Sequence, residues 1–209
     1  MLGQRYANQG IKQGEKMLAN LAHHPSTAQF LAFKLVRHFI TDEPTPELVR
    51  PVAAAYRKSA GNLKAVAQAL IDLPEAWEAP LRKMRTPYEL QIAEMRALER
   101  VYVPKNRWPF SETLGALRHK PWERPAPDGY SDESAYWMGP DAMRIRLETA
   151  QLNAWSLQQI APYTHTAVNL ADRLFSTVLS KTSRQSIAQA PDLQNGLAMV
   201  FMIPEFQRR

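Results

Sequence analysis

Apolar residues recur every three or four positions along most of this 209-residue chain, which is the period of an amphipathic α-helix. Proline and glycine separate the periodic stretches and stand where helices ordinarily begin or end. No stretch alternates apolar and polar residues for long enough to predict a strand, and no hairpin turn joins two apolar runs. The pattern therefore predicts an all-α fold, an irregular multi-helix bundle with no significant sheet.

Individual residues indicate where the helices start and stop. Ser26 and Gln29 have the spacing of a capping box, so we expect a helix from Thr27 to Ile40. Gly61 suits the left-handed residue after a helix, and Asn62 suits the cap of the next one. Further helices are predicted over residues 47–59, from Asn62 to Pro74, from Thr86 to Val101, and over residues 140–160, 166–179, 182–190 and 192–202.

The helix predicted over residues 27–40 has apolar side chains around most of its circumference, which is typical of a helix buried on most sides. These side chains are Phe30, Leu31, Phe33, Leu35, Val36, Phe39 and Ile40. Its polar stripe is formed by Lys34, Arg37 and His38, which lie one turn apart. Such a stripe either is exposed or pairs with neighbouring carboxylates, or it binds an anion through charge-assisted hydrogen bonds.

Residues 104–139 are rich in proline and aromatic residues, which predicts a long ordered loop inserted between helices, with a short helix over residues 111–117. Tyr130 and Trp137 would offer aromatic faces to a sugar or peptide, with Arg146 as a clamp for an anion. Alternatively, the rings anchor the irregular loop to the helices. The candidate ligand-binding residues are therefore Lys34, Arg37, His38, Tyr130, Trp137 and Arg146.

Composition excludes several classes of site. Cysteine is absent, which removes disulfides, thiolate metal sites and cysteine nucleophiles. No spacing of histidines and carboxylates matches a metal site, and no cofactor-binding or catalytic motif is present, so we expect neither metal nor cofactor. No apolar run approaches the roughly 18 residues that a membrane span needs. Whether the chain is an enzyme stays open.

The net charge of +6 raises the question of nucleic-acid binding. The excess of basic residues falls from +4 in residues 1–60 to 0 in residues 131–209, and cations and carboxylates alternate nearly everywhere. A nucleic-acid-binding surface needs a basic patch or arm, which the sequence does not show. We therefore expect a mixed surface and no nucleic-acid partner.

Two segments repeat one pattern, in which an apolar helix end is followed by Pro-Glu and then by an aromatic residue. They are ALIDLPEAW at residues 69–77 and MVFMIPEFQ at residues 199–207. Two instances are too few to predict a repeat array, so they indicate at most a pseudo-symmetry.

These segments in combination resemble the bacterial DUF1800 family, and the resemblance covers nearly the whole chain. It rests on His24-Pro25-Ser26-Thr27-Ala28-Gln29-Phe30, Lys34-Leu35, Gly61-Asn62, Leu73-Pro74-Glu75-Ala76-Trp77, Trp137, Arg146 and Pro204-Glu205-Phe206-Gln207-Arg208. Tyr130 stands where the family has a tryptophan. The family has no established reaction, so the resemblance implies no catalytic residues.

The length suits a single helical domain over residues 1–209, and the resemblance implies that this domain is the C-terminal portion of a longer protein. It also implies two partners, the N-terminal part of the same protein and an exported sulfatase-like neighbour, in the periplasm or cell envelope. The start of the chain, with Gly3, Gly10 and Gly14, is expected to be irregular. We therefore predict a helical interaction module that is non-catalytic by itself. The alternative is an enzyme or binding protein for an anionic or carbohydrate ligand.

Overall fold

The computed structural model describes residues 3–78, 81–99, 110–124, 126–159 and 166–209. In these ranges the chain forms eleven α-helices, three short 3-10 helices and no strand beyond an isolated bridge, so the predicted all-α, multi-helix fold is confirmed. The α-helices are α1 Ile11–Ala22, α2 Pro25–Phe39, α3 Pro46–Lys58, α4 Leu63–Ile71, α5 Pro87–Glu99, α6 Phe110–Ala116, α7 Pro140–Gln158, α8 Ala167–Phe175, α9 Lys181–Ala188, α10 Leu193–Met202 and α11 Pro204–Gln207. The 3-10 helices are Pro74–Ala76, Ser134–Trp137 and Ser176–Val178. None of the described helices combines the length and the apolar character that crossing a membrane requires.

The chain divides into two compact units, Met1–Pro80 and Leu81–Arg209, and each has its own apolar core. Helices α2, α3 and α4 supply the core of the first unit. Helices α5 and α7 to α11 supply the core of the second. That residues 1–209 form one domain of a longer protein stays a prediction.

Helix α2 starts at Pro25 because His24 caps it. The His24 Nδ1 atom accepts a hydrogen bond from the Ser26 amide at 3.1 Å, and Pro25 takes the first helical position, where a missing amide hydrogen costs nothing. The predicted capping box of Ser26 with Gln29 is therefore wrong.

Helix α2 buries only one face. Ala28, Ala32 and Val36, spaced by four residues, are at most 1% exposed, whereas Phe30 and Phe39 are 61% and 52% exposed. The prediction that this helix is buried on most sides is therefore wrong. Its small side chains face the core, and they allow α2 and α3 to pack closely.

Residues 3–10 form no helix, as the glycines suggested, but the expected irregular start ends at Ile11, where helix α1 begins. Gly14 lies within the helix, and apart from its chain neighbours and the adjoining helix backbone no described atom comes within 4 Å of the position that a Cβ atom would take there. No residue of α1 is buried, but its end is fixed by hydrogen bonds to two backbone carbonyls. The Thr27 hydroxyl donates to the Leu21 carbonyl at 2.7 Å, and the Tyr56 hydroxyl donates to the Ala22 carbonyl at 2.8 Å.

The predicted roles of Gly61 after α3 and of Asn62 at the start of α4 are confirmed. Gly61 has φ 83°, the left-handed conformation that glycine adopts without strain. The Asn62 side chain accepts hydrogen bonds from the Lys64 amide at 3.0 Å and the Ala65 amide at 3.2 Å, so it caps α4.

The helices predicted in the second unit are also observed. Helix α5 begins after Thr86, α6 lies where the short helix was expected, and α8, α9 and α10 match the last three predicted segments. Within the predicted loop, residues 104–109, including Trp108, lie outside the described residues, as does Pro125. Val101 and Ile160, where two helices were predicted to end, also lie outside them.

The two Pro-Glu segments share one local structure. Asn62 caps α4 and Asp192 caps α10, and in both cases a proline twelve positions later starts a short helix. The buried positions also match, because the fourth, eighth and eleventh residues after each cap are buried: Val66, Leu70 and Leu73, and Gly196, Val200 and Ile203. The repeated pattern in the sequence is therefore also a repeated structure.

Gly196 brings α10 close to α8. A Cβ atom at this position would lie 2.9 Å from the Ala167 Cβ atom, which is nearer than carbon atoms approach each other in a packed core. Because Ala167 is buried and has no rotatable side chain, one of the two helices would have to move.

We therefore expect Gly196→Ala to lower the free energy of unfolding by about 1–3 kcal/mol, although alanine alone favours a helix over glycine by about 1 kcal/mol. Gly14→Ala is the matched control, because it changes the same residue type in a helix with open space around it. It should leave stability unchanged or raise it. Urea denaturation of both variants tests this, and equal effects at the two positions would contradict the packing argument.

Candidate functional site

Lys34, Arg37 and His38 lie half-buried on α2 in the first unit. The Arg37 guanidinium lies over the Phe33 ring, 4.5 Å from its centroid, and the His38 ring packs edge-on against Phe39 at 4.6 Å. The three residues of the stripe each make further contacts, so the stripe is engaged with its surroundings. Their role in ligand binding stays a prediction, as does a shared site with the candidates of the second unit.

Tyr130 and Trp137 lie together in the second unit, around His119. The His119 ring centroid is 4.4 Å from that of Tyr130 and 4.8 Å from that of Trp137. The Tyr130 hydroxyl donates a hydrogen bond to the Lys120 carbonyl at 2.6 Å, and the Trp137 Nε1 donates to the Ser131 carbonyl at 3.1 Å. These contacts favour the anchoring alternative, and ligand binding by the two rings stays a prediction.

Arg146, on α7, is fully buried. Its Nη1 donates to the Gln207 Oε1 at 2.8 Å, and its Nη2 donates to the Arg85 carbonyl at 2.8 Å. Burial lowers the pKa of Arg146 to about 10, and the nearby carboxylate of Glu94 acts in the opposite direction. Arg146 thus joins α7 to two other segments of the unit, and its role as an anion clamp stays a prediction.

The last residues of the chain pair with the segment before α5. The Arg209 amide donates to the Lys83 carbonyl at 2.8 Å, and the Lys83 amide donates back to the Arg209 carbonyl at 3.3 Å. The Arg85 amide donates to the Gln207 carbonyl at 2.9 Å. This short antiparallel bridge places Gln207 where its side chain meets Arg146.

Replacing Arg146 with methionine keeps most of its volume but removes the donors. The Gln207 side chain and the Arg85 carbonyl would then lack these donors inside the core, so we expect a loss of about 3–5 kcal/mol in the free energy of unfolding. Arg144→Met is the control, because Arg144 is exposed and pairs with Glu148, and it should cost less than about 1 kcal/mol. A stable Arg146→Met variant in a urea titration would show that this junction does not hold the unit together.

An open cleft of about 490 Å³ lies beside α5 in the second unit, and we call it the arginine cleft. Its lining combines cationic groups with aromatic and aliphatic side chains. The residues are Arg85, Tyr88, Glu89, Ile92, Ala93, Arg96, Ala97, Arg173, Leu174, Phe175 and Phe206. The size falls within the usual range for ligand pockets.

Among the described residues that line the arginine cleft, Glu89 carries the single carboxylate, and that carboxylate is already bound. Its Oε2 accepts hydrogen bonds from the Thr86 amide at 2.9 Å and the Thr86 hydroxyl at 3.1 Å. The Glu89 amide lies 3.4 Å from the Thr86 hydroxyl, so the pair is a capping box for α5. The Arg209 Nε also lies 3.1 Å from the carboxylate. The negative charge of Glu89 is thus compensated by the Arg209 guanidinium and by the hydrogen bonds from Thr86.

The three arginines of the cleft differ in their surroundings. Burial lowers the pKa of Arg85, Glu89 raises it and Arg209 lowers it further, and the Arg85 guanidinium donates to the Phe206 carbonyl. Arg96 and Arg173 are exposed, and within the described ranges neither side chain makes a hydrogen bond or an ion pair. Among the described residues, the cleft therefore presents two exposed cations, Arg96 and Arg173, that have no carboxylate partner, and such clefts attract anions.

Only one wall of this cleft, the face of α5, could be predicted from the sequence. Tyr88, Ile92 and Arg96 are spaced by four residues, so they share one face of α5. No local pattern connects that face with Arg173 on α8, because the two helices are far apart in the chain.

His119 connects the aromatic cluster to the start of α5. Its Nδ1 accepts a hydrogen bond from the Tyr88 amide at 3.3 Å. Burial lowers the pKa of His119, because it disfavours the charged ring, and Glu89 opposes this effect. The neutral ring is therefore the form that the fold favours.

Because the folded pKa of His119 lies below the ordinary value of 6.5, the unfolded chain takes up this proton at a higher pH than the folded chain. The contribution of the neutral His119 ring to the free energy of unfolding is present at pH values above the ordinary pKa and is lost as the pH falls below it. Between about pH 7.5 and about pH 5.5 the melting temperature of the native chain should fall more than that of His119→Gln, whose amide oxygen can still accept from Tyr88. Parallel melting curves would contradict this.

Within the part of the chain that the structure describes, no three side chains of histidine, aspartate or glutamate gather as a metal site would require. The family model described as "Protein of unknown function (DUF1800)" matches residues 1–208, which confirms the resemblance seen in the sequence. No curated protein and no solved structure matches the chain.

Proposed function

We propose a function for this chain, which belongs to the DUF1800 family of proteins of unknown function: it is a helical interaction module whose arginine cleft binds an acidic segment of a partner protein. The observation that carries the proposal is the set of three arginines around a cleft whose single described carboxylate is held by Thr86 and Arg209. Clusters of arginine are a recurrent means of recognising acidic motifs.

The charge of the lining supports an anionic partner. Arg96 and Arg173 line the cleft and are exposed, so their guanidinium groups can bind carboxylates through two parallel hydrogen bonds. Arg85 lies deeper, and its guanidinium is 5.6 Å from the centroid of the Phe206 ring. The bond from Arg85 to the Phe206 carbonyl fixes this cation in place without neutralising it.

The apolar part of the lining supports a peptide segment rather than a small inorganic anion. Ile92, Leu174 and Phe175 provide apolar surface, which a ligand with apolar side chains would cover and a small inorganic anion would not. From Tyr88 to Arg96 the face of α5 spans roughly 12 Å, which is the length of about four residues of extended chain. An acidic segment with interspersed apolar residues would match both the positive charge and the apolar surface of the cleft.

The alternative function predicted from the sequence is a binding site for an anionic or carbohydrate ligand that uses Lys34, Arg37 and His38 with the aromatic loop. The contacts that the α2 stripe and the Tyr130 hydroxyl already make would compete with such a ligand. The N-terminal part of the same protein, an exported sulfatase-like neighbour and an envelope location are supported by family resemblance alone.

The proposal can be tested with short fluorescent peptides. A peptide of alternating glutamate and leucine should bind the full chain, and the same peptide with glutamine in place of glutamate should bind at least tenfold more weakly. Arg96→Gln combined with Arg173→Gln should weaken the glutamate peptide about tenfold, because each charge-assisted hydrogen bond contributes on the order of 1 kcal/mol or more. Fluorescence anisotropy at fixed ionic strength measures these affinities.

Arg144→Gln is the matched control, because Arg144 is an exposed arginine of the same unit that lies outside the cleft. It should retain the native affinity. If Arg144→Gln weakens binding as much as the double variant does, the attraction reflects the overall charge and the cleft is not the site. If the glutamate and glutamine peptides bind equally, the ligand is not acidic.

A further inference from the structure

We infer that a second site, on the outer face of α7, binds a neutral carbohydrate. It is an open depression of about 630 Å³ lined by Glu148, Gln151, Leu152, Trp155 and Gln194, and we call it the tryptophan face. It shares no lining residue with the arginine cleft. The inference is therefore independent of the function proposed above.

The register of α7 creates this face. Ala150, Ala154 and Leu157 point into the core, where α7 packs against α10, and so the intervening residues point outwards. Gln151 and Trp155 are one turn apart on the outer side. Trp155 is 54% exposed and Leu152 is 44% exposed, so the indole ring and an aliphatic side chain are both accessible.

The polar groups of the face are available for a ligand. Gln151 and Gln194 are exposed, and in the described ranges neither side-chain amide makes a hydrogen bond, nor does the Trp155 Nε1. Each amide carries a donor and an acceptor, which is the combination that a sugar hydroxyl needs. An aromatic ring beside such amides matches a sugar, whose ring presents C–H groups on one face and hydroxyls at its edge.

The charge of the face argues for a neutral ligand. Glu148 is the one charged residue among the described lining residues, and its carboxylate accepts a hydrogen bond from Arg144 at 2.5 Å. The pair carries no net charge. The tryptophan face thus differs from the arginine cleft, which attracts anions, and a neutral saccharide chain suits it better than an acidic one.

The test uses saturation-transfer NMR on the full chain with soluble oligosaccharides of glucose, xylose and N-acetylglucosamine. At least one of these should receive saturation at its ring C–H protons. Trp155→Ala should abolish the transfer, and Gln151→Ala with Gln194→Ala should weaken binding about tenfold. Trp155→Phe should retain part of the signal, because the aromatic platform remains.

Trp122→Ala is the matched control, since Trp122 is a fully exposed tryptophan outside this face, and it should leave the transfer unchanged. The inference is overturned if the native chain gives no transfer with any of the three sugars. It is also overturned if Trp122→Ala reduces the transfer as much as Trp155→Ala does. If Trp155→Ala instead abolishes self-association in sedimentation velocity while sugars have no effect, the face is a contact between copies of the chain.

Discussion

A guanidinium group that is removed from water needs acceptors for its donors, and the second unit supplies one acceptor to each Nη atom of Arg146. Two acceptors, the Gln207 side chain and the Arg85 carbonyl, come from segments at opposite ends of the unit. A charge at full burial is tolerated only where hydrogen bonds compensate for the lost hydration. The same segments carry Arg85 and Phe206 into the arginine cleft, so the geometry of the cleft depends on a residue that lies outside it.

The helices could be predicted from the sequence because their signals are local. Gly61, Asn62 and Thr86 act within one turn of the helix that they delimit, and no distant contact overrides them. At α2 the local signal was misleading, since the histidine side chain of His24 competed with Ser26 for the capping position. The sequence does not show whether α2 buries its alanines or its phenylalanines. Packing against the partner helix α3 buries the alanines.

The candidate sites were less accessible to sequence reasoning. The sequence predicts Arg146 as a clamp for an anion, but in the structure its acceptors are residues distant in sequence, and no spacing rule connects them. In the sequence, nothing distinguishes Arg96 and Arg173 from other surface arginines. The fold brings them to the same cleft, one from α5 and the other from α8. Likewise no local signal distinguishes Trp155, because its exposure depends on which face of α7 packs against the core.

The bridge between Lys83 and Arg209 has a consequence for the folding kinetics of the second unit. Its two partners are almost as far apart in sequence as the unit allows, so forming it closes a very large loop at a cost in chain entropy, and such non-local contacts slow folding. During translation the bridge can form only after the ribosome has released the last residues of this stretch. Until then the Arg146 guanidinium has no Gln207 to meet, and the nascent unit must remain partly hydrated around that charge.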